Sequence, residues 1–296
     1  MGAGHARPGA LAADAAGLPQ LPRGVLGPGG GRSAVPAHRG LAERGGVSGL
    51  SESTVIVASD FLEAAVEQWR LAYREALSEG RSFSVALAGG STPEPLYRRL
   101  GSEPLDWERI EVFLGDERAV APDHPDSNWG MISRALLDLV TPPPENLHRP
   151  RGEADDLGAA AAEYAGEMAQ ILPAAESGAP KFDLILLGMG DDGHTASLFP
   201  GSHALGVSDR WFVSGPGPSQ AEARLTITYP VIHDARHVCV LVRGASKAST
   251  LLRVLEGDAG LPAAPLRNWA GVVWLTDPAA ASEVLEAEPA IAVKRH

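Results

Sequence analysis

The sequence predicts an α/β protein built on an open, mainly parallel, Rossmann-like sheet with helices on both faces. From Ser53 onward, short apolar runs alternate with segments of helical character. Most of these runs are apolar at nearly every position, as expected of strands that are covered on both faces. Strands that alternate with helices favour a parallel sheet. Ligands of such sheets bind beyond the carboxyl ends of the strands, so we expect the functional residues in the loops there.

The predicted elements follow one another along the chain. Strands are expected at residues 54–58, 83–88, 110–114, 182–187, 211–214, 224–229, 237–242 and 271–275. Helices are expected at residues 60–78, 94–100, 127–139, 154–172, 246–255 and 278–286. Asp60 is the first residue of the first of these segments and is a suitable N-cap.

The cysteine content and the length of the apolar runs limit the class of protein. Cys239 is the only cysteine and lies inside the apolar run HVCVLV, so a disulfide framework is excluded and burial is predicted. No apolar run approaches the ~20 residues needed to cross a bilayer. We therefore expect a soluble protein with no membrane partner, and the cysteine usage fits a cytoplasmic location.

The first fifty residues differ in composition from the rest of the chain. They contain 13 of the 34 glycines and five prolines, and they lack Ile, Phe, Tyr and Trp. Such a segment cannot bury enough apolar surface to offset the entropy lost on ordering. The sequence thus predicts a disordered extension over residues 1–52 and one α/β domain over residues 53–296. The extension lacks the continuous apolar core of a secretory signal, and its glycine and proline content favours an unstructured tail or a misassigned start codon over a transit peptide.

The charge distribution argues against a nucleic-acid partner. The net charge is −12, and because residues 1–50 carry five Arg against two acidic residues, the remainder carries −15. A domain this acidic is unsuited to binding nucleic acid. An anionic substrate would need a few local cationic contacts.

The loop after the second predicted strand has the composition of an anion-binding turn. Gly89 and Gly90 permit close backbone approach, and the hydroxyls of Ser91 and Thr92 can donate hydrogen bonds. The helix that follows presents free N–H groups, which suit a phosphate. A tight turn with an N-cap would explain the same residues. The Gly-Lys-Ser/Thr ending of a P-loop is absent.

Three consecutive charged residues follow the third predicted strand. Asp116, Glu117 and Arg118 stand where a ligand would bind, but a solvated turn has the same composition. The sequence alone supports both interpretations equally.

The motif GMGDDGH, residues 188–194, follows the fourth predicted strand and has the glycine spacing of a dinucleotide-binding loop. Asp191 and Asp192, however, would place negative charge beside a pyrophosphate, and no acidic residue ends the next strand. The sequence therefore disfavours a nicotinamide cofactor. His194, two residues from the Asp192 carboxylate, has the composition of an oriented general base, although a lone histidine is also common in a structural role.

Two cations occur at strand or helix starts late in the chain. Arg224 opens the run RLTITY, and Lys247 lies in the first turn of the helix after Gly244. A cation at a helix N-terminus is unfavourable unless an anion binds between it and the amides. No Cys/His cluster has metal-ligand spacing, and Asp192 with His194 supplies at most two ligands, so no metal site is predicted.

Taken together, these loops have the motifs and the order of a known family. The segments are ALAGGSTPEPLY, FLGDERAVAPDHPDSNWGM, FDLILLGMGDDGHTASLFPGS, ARLTITYPVI and LVRGASK. In these segments the chain resembles the 6-phosphogluconolactonase family, from about Ser53 to the C-terminus. That family is similar to the glucosamine-6-phosphate deaminases and shares their α/β fold.

The resemblance implies a function and assigns roles to residues. The implied reaction is hydrolysis of 6-phospho-D-glucono-1,5-lactone to 6-phospho-D-gluconate, in the oxidative branch of the pentose phosphate pathway. The partner is thus a small phosphosugar lactone, with no metal or organic cofactor, and we expect a monomer or a small homo-oligomer. The implied catalytic residues are His194, Asp192 and Arg118, with Arg118 contacting either the oxyanion or the phosphate. The implied substrate- and phosphate-binding residues are Gly89, Gly90, Ser91, Thr92, Asp116, Arg224 and Lys247.

One position distinguishes this chain from the related deaminases. Those enzymes read D-G-H-I-A-F-N-E-P, with a glutamate that works alongside the histidine in ring opening. Here Phe199 stands at the position of that glutamate, and an apolar ring cannot relay a proton. An amino-sugar-phosphate deaminase or isomerase, and a non-catalytic phosphosugar-binding module, remain the alternatives.

Overall fold

The computed structural model describes residues 53–218, 222–287 and 292–296. The predicted extension, residues 1–52, lies outside the described residues. The strands are β1 (Thr54–Val57), β2 (Phe83–Leu87), β3 (Ile110–Leu114), β4 (Asp116–Arg118), β5 (Leu184–Gly188), β6 (Phe212–Pro216), β7 (Ala223–Ile227), β8 (His237–Val242), β9 (Val272–Thr276) and β10 (Ala292–Arg295).

Seven of these strands form one parallel sheet, in the order β10-β1-β9-β8-β5-β2-β3. Every hydrogen-bonded pair of neighbours in it is parallel. This arrangement confirms the predicted open, mainly parallel sheet.

Helices connect the strands and, except for Tyr229–Asp234, overlap the segments that the sequence predicts as helical. They are α1 (Phe61–Ser78), α2 (Glu94–Leu100), α3 (Asn128–Ile132), α4 (Asp138–Val140), α5 (Leu157–Ile171), α6 (Tyr229–Asp234), α7 (Ala248–Glu256) and α8 (Ser282–Ala287). The helix predicted at 127–139 is interrupted by a π-helical segment, Ser133–Leu137, between α3 and α4. The Asp60 carboxylate accepts a hydrogen bond of 3.0 Å from the Glu63 N–H, which confirms the predicted N-cap of α1.

Two hydrophobic cores cover the two faces of the parallel sheet. Along β5, Leu184 and Leu186 pack into one core with residues of α1 and α2. Ile185 and Leu187 pack into the other core with residues of α5 and α7. Cys239 is buried as predicted, and burial raises the pKa of its thiol to about 12. Helices therefore lie on both faces, in agreement with the sequence prediction.

A second sheet corrects the prediction for three segments. The strands predicted at 211–214 and 224–229 do form, but as β6 and β7 of a separate antiparallel sheet of order β4-β7-β6. Asp116–Arg118 was expected in a loop and forms the edge strand β4. Gly115, between β3 and β4, is the residue at which the chain passes from the parallel sheet to the small sheet. Its N–H donates to Leu87 O of β2 at 2.9 Å, and its C=O accepts from the Ile227 N–H of β7 at 2.9 Å.

The end of β7 also differs from the prediction. The strand was expected to continue to Tyr229 but ends at Ile227, because α6 begins at Tyr229. Pro230 occupies the first turn of α6, where a proline is tolerated because the N–H groups there have no intrahelical partner.

The strand order brings the loops selected from the sequence to one place. They follow β2, β3, β5 and β8, which are consecutive neighbours in the sheet. The chain leaves β2 toward the core that contains α2, and it leaves β5 toward the core that contains α6. A crevice at the carboxyl ends of the strands is expected where adjacent connections diverge in this way. Within the described ranges, no helix has both the length and the apolar character needed to span a membrane.

Candidate active site

His194 and Asp192 form a close pair in the loop after β5. The imidazole Nδ1 lies 2.5 Å from Asp192 Oδ1, and the His194 N–H donates to the same oxygen at 3.2 Å. The side chain of His194 is 32% exposed, so its ring is accessible from solvent. Among the described residues, nothing hydrogen-bonds to Nε2. This arrangement fits a histidine whose Nδ1–H is held by a carboxylate and whose Nε2 can accept a proton.

Asp192 is suited to be the anionic partner of this pair. Partial burial tends to raise the pKa of its carboxyl group, but the hydrogen bonds from the side chain and backbone of His194 outweigh that effect. The pKa of Asp192 is therefore lowered below its ordinary value, and the group is ionised at neutral pH.

The glycines of the loop serve the conformation of this pair. A Cβ at Gly190 would lie 2.1 Å from His194 Nδ1, and Gly193 has a φ of +72°. The Gly190 N–H donates to the His194 C=O at 2.9 Å, so this amide is already used inside the loop. The packing of His194 thus explains the glycine at position 190, and the left-handed backbone explains the one at position 193.

Phe199 packs against the catalytic candidate. Its ring centroid lies 4.6 Å from that of His194, with an interplanar angle of 47°. The side chain is buried, and it supplies no proton-transfer group beside the imidazole.

Asp116 connects the loop after β5 to the loop after β3. Its Oδ2 accepts a hydrogen bond of 2.6 Å from the Ser197 hydroxyl, and its Oδ1 lies 3.3 Å from the Asn128 amide nitrogen. The Ser197 N–H donates in turn to Thr226 of β7 at 3.1 Å. Ser197, Asn128 and Thr226 were not selected from the sequence, because their importance depends on tertiary contacts that no local motif encodes.

Glu117 joins β4 to the start of α3. Its carboxylate accepts hydrogen bonds from the N–H groups of Asn128, Trp129 and Arg118 and from the Ser127 hydroxyl, at 2.7 to 3.0 Å. Burial raises the pKa of Glu117, and the four hydrogen bonds partly offset that rise. Glu117 is 2% exposed, so it acts as a buried cap that fixes Asn128 beside Asp116.

The predicted phosphate loop packs against Asn128. A Cβ at Gly89 would lie 1.7 Å from Asn128 Oδ1, so only glycine fits there. Gly90 has a φ of +93°, which also favours glycine. Ser91 is exposed and Thr92 half-buried. The Tyr97 hydroxyl donates to Ala88 O at 2.7 Å and thereby holds the end of β2 in place before the loop.

Arg118 and Arg224 are directly opposite each other on adjacent strands. Arg118 of β4 is the register partner of Arg224 of β7, so their side chains start from the same face of the small sheet. Like charges placed opposite each other are unfavourable without an anion between them. Arg118 donates to Asp126 O, and Arg224 pairs with Glu222 at 3.0 Å.

Lys247 joins the loop after β8 to the loop after β5. It ends a 3₁₀ turn, Ala245–Lys247, immediately before α7. Its Nζ lies 2.6 Å from Asp191 Oδ1. The Thr250 hydroxyl of α7 donates to Asp191 O at 2.8 Å and fixes the backbone of that loop.

The contacts therefore link the selected residues through two groups of loops. In one group, Asn128 lies between Gly89 and Asp116, and Asp116 also accepts from Ser197. In the other, Lys247 contacts the loop that carries Asp191, Asp192 and His194. No group of three or more His, Cys, Asp or Glu side chains suited to a metal ion occurs in the described part of the chain.

Comparisons with known proteins agree with this arrangement. The profile of the family described as "Glucosamine-6-phosphate isomerases/6-phosphogluconolactonase" matches residues 57–274. A protein named 6-phosphogluconolactonase from Nostoc sp. is 41% identical over 71% of this chain and 88% of its own length. One of the same name from Synechocystis sp. is 44% identical over 69% of this chain and 85% of its own length.

A solved structure extends the similarity to three dimensions. The structure of 6-phosphogluconolactonase from Trypanosoma brucei matches with a TM-score of 0.70 and 30% identity, over 79% of this chain and 99% of that chain. The chain belongs to the glucosamine-6-phosphate isomerase/6-phosphogluconolactonase family.

Proposed function

We propose that this protein hydrolyses 6-phospho-D-glucono-1,5-lactone to 6-phospho-D-gluconate, the lactonase step of the oxidative pentose phosphate pathway. The observation that carries this proposal is the His194–Asp192 pair, with Nδ1 held at 2.5 Å and Nε2 available on an accessible ring. The names of the relatives from Nostoc and Synechocystis support the same activity.

In the proposed mechanism, His194 acts as the general base. Nε2 accepts a proton from a water molecule as the water oxygen attacks C1 of the lactone. The tetrahedral intermediate collapses by breaking the bond between C1 and the ring oxygen, and Nε2 returns the proton to that oxygen. Asp192 stabilises the imidazolium that forms between these steps and holds the Nδ1–H tautomer.

The phosphate group would be held at the opposite end of the substrate. We assign it to the Gly89–Thr92 loop, Arg224 and Lys247, which supply amides, hydroxyls and two cations. Arg118 shares a face of the small sheet with Arg224, which supports its assignment to the phosphate rather than to the oxyanion. Anchoring at the phosphate positions C1 beside His194 without contributing a proton transfer.

The alternative of an amino-sugar-phosphate deaminase is less well supported. Phe199 packs on His194 at the position where the deaminases carry a glutamate, and it cannot take part in acid-base chemistry. A binding module without activity would have no use for the Asp192–His194 geometry.

The remaining assignments rest on the charge and cysteine content of the sequence and on what the family resemblance implies. We propose a cytoplasmic enzyme that acts as a monomer or small homo-oligomer, without a nucleic-acid partner and without a metal or organic cofactor.

The decisive experiment measures lactone hydrolysis by acid release above the spontaneous rate, with His194→Ala as the matched variant. The substitution should lower kcat by about 10²- to 10⁴-fold, because general base catalysis is lost. KM should change little, because the phosphate contacts lie elsewhere. Wild-type protein that releases ammonia from glucosamine 6-phosphate and leaves the lactone at its background rate would instead establish the deaminase alternative.

A further inference from the structure

Both cations assigned to the phosphate are already paired with an acidic side chain. Lys247 Nζ lies 2.6 Å from Asp191 Oδ1, and Arg224 Nη2 lies 3.0 Å from Glu222 Oε2. The two pairs come from different loops, so the structure repeats the same arrangement at two places.

The partners in each pair differ strongly in exposure. The side chains of Arg224 and Lys247 are 11% and 21% exposed, whereas those of Glu222 and Asp191 are 63% and 74% exposed. The cations are therefore held by their surroundings, and the carboxylates approach them from the solvent side. An incoming phosphate has to approach from that side as well.

The backbones of the two acidic residues are fixed, but their carboxylates are not. The C=O of Asp191 accepts from the Thr250 hydroxyl at 2.8 Å, and the C=O of Glu222 accepts from the Gly217 N–H at 2.6 Å. Among the described residues, neither carboxylate accepts a hydrogen bond from any group besides its paired cation. Asp116, Asp192 and Glu117, in contrast, each accept two or more. A side-chain rotation is enough to release Asp191 or Glu222 from its cation.

We propose that Asp191 and Glu222 act as placeholder anions. Each occupies a phosphate-binding cation in the free protein and is displaced when the phosphate of the substrate binds. The inference rests on the proposed function, because it takes Lys247 and Arg224 as the phosphate ligands. Exchange of one anion for another keeps the two cations in position and lowers the net affinity for phosphate.

This arrangement predicts the direction in which neutral replacements act. In Asp191→Asn or Glu222→Gln, phosphate no longer competes with a carboxylate and no longer meets its negative charge. KM for the phosphorylated lactone should fall about 1.5- to 5-fold for each change, the range typical of an exposed ion pair. The double variant should exceed either single one, and kcat should stay constant. KM for non-phosphorylated gluconolactone should not change.

The experiment compares wild type, both single variants and the double variant with Glu163→Gln. Glu163 forms an ion pair with Arg151 in which both side chains are exposed, so this control changes the net charge as much as each single variant does. The kinetic measurement is KM for both lactones, and the direct one is the Kd of inorganic phosphate by calorimetry. We expect the KM of the phosphorylated lactone and the phosphate Kd to fall together in the three test variants and to stay at the wild-type values in Glu163→Gln.

Several results would overturn the inference. These are a KM or phosphate Kd that is unchanged or raised, an equal fall in KM for gluconolactone, and an equal fall in the Glu163→Gln control. Phosphate that binds neither the wild type nor the double variant would also overturn it. Failure of the proposed function can be distinguished from failure of this inference. If the protein is not a lactonase, wild type does not accelerate lactone hydrolysis, but the Kd of phosphate still tests the effect of the two carboxylates.

Discussion

The tautomer of His194 depends on a single neighbour. Asp192 accepts from both the ring and the backbone N–H of His194, and these hydrogen bonds lower the pKa of Asp192. A carboxyl group with a lowered folded-state pKa contributes stability above its unfolded pKa of about 3.9, and that contribution is lost as the pH falls through the lower folded value. Asp192 therefore stays ionised throughout the pH range in which a histidine titrates.

Asp192→Asn tests this role. The amide has no negative charge and presents either an acceptor or a donor to Nδ1, so the productive tautomer is no longer fixed. The equivalent change beside the histidine of serine proteases lowers kcat about 10⁴-fold, and we expect a fall in the same direction that does not exceed the loss in His194→Ala.

The measurement is a pH-rate profile of both proteins, with Asp258→Asn as a control for the charge change. Asp258 pairs with Arg253 on α7, outside the proposed site. An unchanged kcat in Asp192→Asn would show that Asp192 does not orient the base.

Among the elements, the loop after β5 shows how glycines determine the position of a catalytic candidate. Gly188 and Gly190 are two residues apart, yet their surroundings differ. A Cβ at Gly188 has no heavy atom within 4 Å, whereas one at Gly190 would lie 2.1 Å from His194 Nδ1 and 2.6 Å from Asp192 Oδ1. The chain thus offers a matched pair of substitutions in the same loop.

Gly190→Ala should reduce kcat nearly as much as His194→Ala, because the added methyl group displaces the imidazole and separates it from Asp192. KM should change little, since the assigned phosphate contacts lie in other loops. Gly188→Ala should retain wild-type kinetics. Activity and melting temperature of both variants provide the comparison, and a fully active Gly190→Ala enzyme would contradict the packing role given to Gly190.

The sequence predicts an element correctly where the local residue pattern determines its secondary structure. It does not where pairing with a distant segment determines that structure. The apolar runs of β2, β3, β5 and β8 predict strands correctly because burial on both faces leaves a continuous signal. Asp116–Arg118 has three charged residues and no such signal, and it becomes β4 only because β7 lies beside it. The sequence identifies β6 and β7 as strands for the same local reason but does not show that they pair in a separate sheet.

For the whole molecule, strand order decides which loops meet. The sequence predicts that function lies at the carboxyl ends of the strands, and the resemblance to the family names the residues. The sequence does not reveal the position of Asn128. Its backbone N–H is bound by Glu117, and its side chain fills the space beside Gly89 and donates to Asp116 O. Asn128 lies at the start of a predicted helix, where an asparagine is ordinary, so only the folded chain shows its part in the site.

The folded domain should not need the first fifty residues of the chain. The family profile begins at residue 57. Ser53, the first of the described residues, donates its hydroxyl to Arg267 O at 2.6 Å and accepts from Trp274 Nε1 at 3.2 Å. Deleting residues 1–50 keeps these contacts and removes a segment too poor in apolar residues to join a core. The kinetics and melting temperature should equal those of the full chain. Deleting residues 1–57 should strongly destabilise the protein, because it also removes β1, which pairs with both β9 and β10. A marked loss of activity or stability on deleting only residues 1–50 would mean that the extension contributes to the folded domain.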